Sequence, residues 1–265
     1  MAEGATHVGI CDNIGKSAFT LAEVLITLAI IGVVAAMTIP TLISNYQEKV
    51  TVTKVKKFYA ILSQAHKLAT IENGPQSSWG MVQSEYNGLN GPAVEDFVES
   101  NNSMNSRDLY IDKLAPYLKI VSRKNYKVCY GSSDVKWMKL NGAINSDTYC
   151  PLAVLADGTT IVNAYYSTVH GNYGDMKVDF NGEAGPNTYG KDIFVFYFSD
   201  DGVAITSINL YDSPIKDFKE YVDTTCLAED ANGYGCTAWI LDNSNMDYLE
   251  CDGLEYGVKN KCSDL

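Results

Sequence analysis

With 265 residues, 46% hydrophobic and 20% charged, the chain is long enough for one sizeable core and too apolar to be disordered by composition. A formal net charge of -12 excludes a general nucleic-acid binder, which needs a basic footprint, so no nucleic-acid partner is expected. Arginine occurs only at Arg107 and Arg123, which removes the side chain best suited to forked phosphate contacts.

The chain opens on a short polar stretch, residues 1–18, ending Gly15-Lys16-Ser17-Ala18. It is followed by an apolar run from Phe19 to Ile43. At a rise of ~1.5 Å per residue such a helix is roughly 37 Å long, enough to cross ~30 Å of hydrocarbon. Glu23 interrupts the run one helical turn in. A carboxylate in hydrocarbon costs on the order of 2.5 kcal/mol or more, so Glu23 calls for a partner. A secretory signal carries its small-residue cleavage site after the apolar core, whereas here the small residue Ala18 precedes it. Cutting there leaves the membrane helix in the product.

This arrangement resembles the N-terminus of prepilins, the precursors of type IV pilins and of the pseudopilins of type II secretion systems. The resemblance rests on about a tenth of the chain. It implies that prepilin peptidase cuts between Ala18 and Phe19, that Phe19 is then N-methylated, and that Glu23 pairs with the freed amine of a neighbouring subunit. The family usually has Gly before the cut, where this chain has Ala18. Gly32 and Pro40 match the family's helix-softening positions: Gly is a weak helix former, and Pro removes a backbone donor and clashes one turn back. The implied partners are other pilin subunits, the peptidase and an inner-membrane assembly platform. The implied location is a single pass through the inner membrane with the head outside the cytoplasm, then an extracytoplasmic filament.

Removing Lys16, Glu3 and Asp12 with the leader, a net of -1, leaves a processed chain at -11. Cys11 departs too, and Cys129, Cys150, Cys226, Cys236, Cys251 and Cys262 remain. An even count beyond a membrane suggests disulfides, and the absence of a Cys-x-x-Cys pair speaks against a zinc knuckle. The pairing expected is 129 with 150, 226 with 236 and 251 with 262, each closing a short local loop; the alternative is six reduced, buried thiols. Charge flanking conflicts with this orientation. Lys16 precedes the span while Lys49, Lys54, Lys56 and Lys57 follow it, which by itself would hold the large domain in the cytoplasm. The leader and the cysteines outweigh that count, because lysines on a packed helix have other uses.

Beyond Pro40 the helical period continues through residues 44–74. Val55, Tyr59, Leu62, Ala65 and Ala69 recur at three- and four-residue steps, Phe58, Ile61 and Leu68 widen the apolar face, and Gly74-Pro75 ends it. Residues 76–106, rich in Ser, Asn and Gly, read as a connecting loop with one short helix across Val94–Val98, and a second helix is expected from Arg107 to Leu118. From Tyr126 the period falls toward two, giving strands at 126–130, 135–140, 152–156, 160–166, 193–199 and 203–210. Asp157-Gly158 and Asp201-Gly202 mark hairpins. These elements predict an α+β protein: a long N-terminal helix, transmembrane over residues 19–43 and amphipathic over 44–74, packed on an antiparallel sheet head over 75–265. Residues 214–265, with four of the cysteines, read as a stapled segment covering a sheet edge, with short helices near Thr237–Leu241 and Met246–Leu249.

Asp179, Asn181, Glu183 and Asp192 place oxygen ligands in a Gly-rich loop that matches a calcium loop in part; Gly190 stands where an EF-hand wants its last Glu. The plainer reading, a turn rich in Asn, Asp and Gly, is preferred, so no cofactor is expected unless calcium binds here. After the cut only His66 and His170 remain, and no nucleophile elbow, phosphate loop or His-Glu-x-x-His motif appears, so an enzyme is not expected. Paired tyrosines such as Tyr165 and Tyr166 offer an adhesive surface if exposed. The function expected is a pilin or pseudopilin subunit polymerised through its N-terminal helix into a type IV pilus or type II secretion pseudopilus. The alternative is a membrane-tethered, calcium-dependent binding protein outside the cytoplasm that never polymerises.

Overall fold

The structure, a computed structural model, describes residues 20–81, 101–123, 136–146, 149, 151–167, 173–182, 184–206 and 217–265. Its backbone is one long helix, α1 (Leu21–Asn73), followed by α2 (Asn101–Leu114) and a six-stranded antiparallel sheet. The strands are β1 (Ile120–Arg123), β2 (Ala153–Leu155), β3 (Thr160–Ser167), β4 (Tyr173–Asp179), β5 (Ile193–Ser199) and β6 (Gly202–Ala204). They are arranged in sequence order, each paired with the next. Short helices α3 (Phe218–Val222) and α4 (Cys236–Asn243) follow. The protein is therefore α+β, a long N-terminal helix with an antiparallel sheet, which is the pilin-like architecture. The chain divides into two compact units, Met1–Tyr46 and Gln47–Leu265.

Within the second unit, α1 contributes Val55, Phe58, Leu62, Ala65, His66 and Ala69 to the core. Their three- and four-residue spacing puts them on one stripe of the helix. Phe58 lies 5.0 Å from Phe196 and 5.8 Å from Phe180, ring centre to ring centre, while Tyr110 of α2 stacks on Phe198 at 3.8 Å. Gly74 ends α1 with φ +82, a conformation that costs glycine little, and the Trp79 indole donates to its carbonyl at 2.8 Å.

All seven residues of β5 are buried. An antiparallel strand with one wet face would alternate, so both faces of β5 are covered. Phe194, Phe196 and Phe198 belong to the face met by α1 and α2. On the other face, Tyr197 shares a 3.1 Å hydroxyl contact with Tyr221 of α3. The tail also closes the ladder, because β6 pairs with β5 only as far as Tyr197 and the Val195 amide donates to the Thr237 hydroxyl of α4 at 3.2 Å. Disulfides join Cys226 to Cys236 and Cys251 to Cys262.

Several local expectations change. The second helix begins at Asn101 rather than Arg107 and ends at Leu114, where Ala115–Tyr117 tightens into a 3-10 turn that accommodates Pro116. Leu109, Tyr110, Ile111 and Leu114 anchor it, so packing overrides the weak helix preference of Asn and Ser. Residues 136–140 form no strand; Met138 makes isolated bridges to Ile144 and Thr188. β1 and β4 were not expected. The expected helix at 94–98 and strand at 126–130 lie outside the described residues.

Candidate assembly site

The first half of α1 is built for an apolar surrounding. Leu25, Ile26, Leu28, Ile30, Ile31, Val33 and Val34 are all more than half exposed, and none of the segment's apolar window is buried by the rest of the chain. Its hydroxyls are turned inward on the backbone: Thr27 donates to the Val24 carbonyl at 2.9 Å and Thr38 to the Val34 carbonyl at 3.0 Å. In lipid, where an unpaired polar group is costly, these bonds let threonine sit in the helix.

The helix begins with a reciprocal cap. The Thr20 amide and hydroxyl each donate to Glu23 Oε2 at 2.8 Å, and the Glu23 amide donates back to the Thr20 hydroxyl at 3.2 Å. This is a capping box, which satisfies helix-end donors that nothing in hydrocarbon would meet. The Thr20-Leu-Ala-Glu23 spacing carries that signal in the sequence. Sequence reasoning sought Glu23's partner on another subunit and missed the one three residues away. Only one carboxylate oxygen is used in these bonds, so the other can still accept from a cation.

Gly32 is surrounded by open space, with nothing within 4 Å of where a Cβ would stand, so its lack of a side chain is not required for packing inside the chain. Pro40 lies inside α1. Ala18 and Phe19 lie outside the described residues, as do Cys129, Cys150, Glu183 and His170.

Three of the four lysines after the span have partners in the second unit. Lys54 donates to the Phe180 carbonyl at 2.6 Å, Lys57 lies 3.2 Å from Asp157, and Lys56 bonds the Ser244 hydroxyl. Their charge is used to hold α1 on the sheet and the tail, a use unrelated to membrane orientation.

The oxygen-rich loop gathers Asp179, Asn181 and Asp192, with both carboxylates buried. Asp179 Oδ1 accepts from the amides of Asn181 at 2.8 Å and Gly182 at 2.9 Å. Asp192 accepts from the amides of Thr188 at 2.6 Å and Asn187 at 2.8 Å and from the Asn181 side chain at 3.2 Å. Burial pushes the Asp192 carboxyl up, and those donors pull part of the way back. Among the described residues no group of three His, Cys, Asp or Glu side chains is arranged to hold a metal. Tyr166 is buried and Tyr165 half-buried, so this pair offers no adhesive surface; β3 is covered on both faces.

A long helix, exposed and apolar at its capped N-terminal half and packed on an antiparallel sheet beyond it, defines a type IV pilin-like subunit. Residues 15–39 match the prokaryotic N-terminal methylation motif, which supports the resemblance to type IV pilins and pseudopilins. The remainder has its own family: the chain belongs to the family of unknown function DUF6613, whose model matches residues 41–245. No curated protein and no solved structure matches the chain.

Proposed function

We propose that the protein is cut between Ala18 and Phe19 by prepilin peptidase, N-methylated on Phe19, and polymerised through the first half of α1 into a type IV pilus or type II secretion pseudopilus. The observation that carries this reading is Glu23, a carboxylate on an otherwise apolar exposed helix, bonded through one oxygen to Thr20. In a bundle of such helices, the new amine of Phe19 on an adjoining copy is a cation of the right kind to neutralise the charge. The apolar faces meet in the filament core, and the stretch from Gly32 to Pro40 loosens as the helix leaves the bilayer. An inner-membrane platform would drive that extraction. Disulfides in the head and lysines already engaged within the chain support a head outside the cytoplasm. The role is structural, with no catalytic step.

Glu23→Ala tests the proposal. The variant is expected to enter the membrane fraction as the wild type does and to yield few or no filaments in sheared preparations viewed by electron microscopy. Filament yield equal to wild type would overturn it and leave the membrane-tethered binding protein. The N-terminal mass of the mature wild-type protein independently reports the cut and the methyl group; a chain beginning at Met1 would remove the basis for assembly.

A further inference from the structure

Lys177 lies in the middle of β4 and is 6% exposed, an unusual place for an ammonium group. Its amine contacts the Asp175 carboxylate, two residues back on the same strand face, and stands 5.7 Å from the centre of the Tyr149 ring. Directly across the ladder on β3, in register with Lys177, is Asn163, 3% exposed. Side chains facing each other across an antiparallel pair start from Cβ atoms ~4.5–5.5 Å apart, so Asn163 and Lys177 share one face within reach of each other. The surroundings are aromatic. Tyr165 and Tyr197 are the cross-strand neighbours of Asp175, and Trp137 packs against Tyr149 and Tyr189 at 5.0 and 5.1 Å.

An amine, a carboxamide and a carboxylate held together away from water are the components of an amide exchange. We propose that Lys177 and Asn163 are joined by an intramolecular isopeptide bond, with Asp175 carrying the protons. In the first step Asp175, in contact with the Lys177 ammonium, takes one of its protons and leaves a nucleophilic amine. Nζ attacks Asn163 Cγ and forms the new C–N bond. Asp175 gives its proton to the amide nitrogen, the old C–N bond breaks, and ammonia leaves. Asp175 takes the surplus proton from Nζ and yields it to the departing ammonia, which exits as ammonium. No oxidant or cofactor enters. Facing each other on one buried sheet face gives the amine and the amide an effective concentration that free groups lack. The bond locks the β3–β4 hairpin and keeps it folded when a filament is pulled.

Mass spectrometry of the full-length protein, denatured and with disulfides reduced, tests this. The expected wild-type result is a deficit of one ammonia, with protease failing to cut at Lys177 and releasing the Asn163 and Lys177 peptides as one branched species. Lys177→Met and Asp175→Asn should each restore the full mass and two linear peptides. A wild-type protein lacking the deficit overturns the proposal even if neither variant folds. A deficit of one water overturns it too, since the electrophile would then be a carboxylate.

Discussion

His66 is the buried histidine of α1, 2% exposed, with Nδ1 3.1 Å from the Tyr110 hydroxyl and its ring 5.8 Å from Trp79. Burial holds its imidazole below the ordinary value of 6.5, against smaller upward pulls from the Ser199 backbone and the Asp200 charge. A depressed folded value means the neutral ring's stabilisation is complete above 6.5 and is lost as pH falls through the lower folded value. Asp192, pushed up by burial, acts in the opposite sense at lower pH. His66→Gln should therefore show a smaller drop in Tm between about pH 7 and pH 5 than wild type, by about 2–4 °C for each kcal/mol of proton linkage removed. Parallel Tm–pH curves would show that His66 takes up its proton equally in the folded and unfolded states. Gly174 is the other sensitive position: a Cβ there would stand 2.2 Å from the Phe198 ring and 2.4 Å from the Tyr165 carbonyl. Gly174→Ala is expected to destabilise the head by about 1–3 kcal/mol in urea unfolding, the cost of overpacking a core that includes backbone. An unchanged midpoint would mean that β4 can shift away from Phe198.

At the scale of elements, the parts with strong periodicity were legible in the sequence. β5 reads as an unbroken apolar run, the turn at Asp157-Gly158 joins β2 to β3, and Gly74 stops α1 where expected; the β5–β6 turn falls at Asp200-Asp201, one residue before the expected pair, with Gly202 already paired to Ser199 in β6. β4 was illegible because Gly174, Asp175 and Lys177 break its apolar pattern; the strand tolerates them because Phe198 fills the space at Gly174 and the charges meet each other. The tail's part in finishing the sheet depends on one hydroxyl, Thr237, meeting one amide, Val195, which no periodicity encodes. The methylation motif was legible, whereas the capping box between Thr20 and Glu23 rests on a local bond pattern that apolar periodicity does not signal. The loop from Asp179 to Asp192 reads in the sequence as a turn rich in Asn, Asp and Gly, with calcium binding as the alternative. Its carboxylates face backbone amides, and a cation would compete with those donors for the same oxygens. Adding a calcium chelator to purified protein should leave Tm within about 1 °C, since a ligand that binds the native state at 100 times its Kd would add about 2.7 kcal/mol. A fall of several degrees, reversed by calcium alone, would assign the loop to the ion.

Over the whole molecule, the two compact units draw stability from different sources. Gln47–Leu265 contains the sheet, the aromatic core and both described disulfides. The helical part of the first unit has no core of its own: its leucines and isoleucines are exposed, and its polar side chains at Thr20, Glu23, Thr27 and Thr38 are bonded within the helix. In water such a segment would associate through its apolar surface. In a micelle or bilayer its backbone bonds are protected, because no solvent competes for them. Heating the detergent-solubilised protein should therefore abolish the near-ultraviolet signal of the head's tryptophans and tyrosines in one transition. A helical far-ultraviolet signal equivalent to about 20 residues, the length that spans a bilayer, should persist above it. Reduction of the disulfides should lower the temperature of that transition and leave the residual helix unchanged. Simultaneous loss of both signals to a fully unfolded baseline would show that the apolar helix depends on the head for its structure, and that it could not leave the membrane and enter a filament as an independent element.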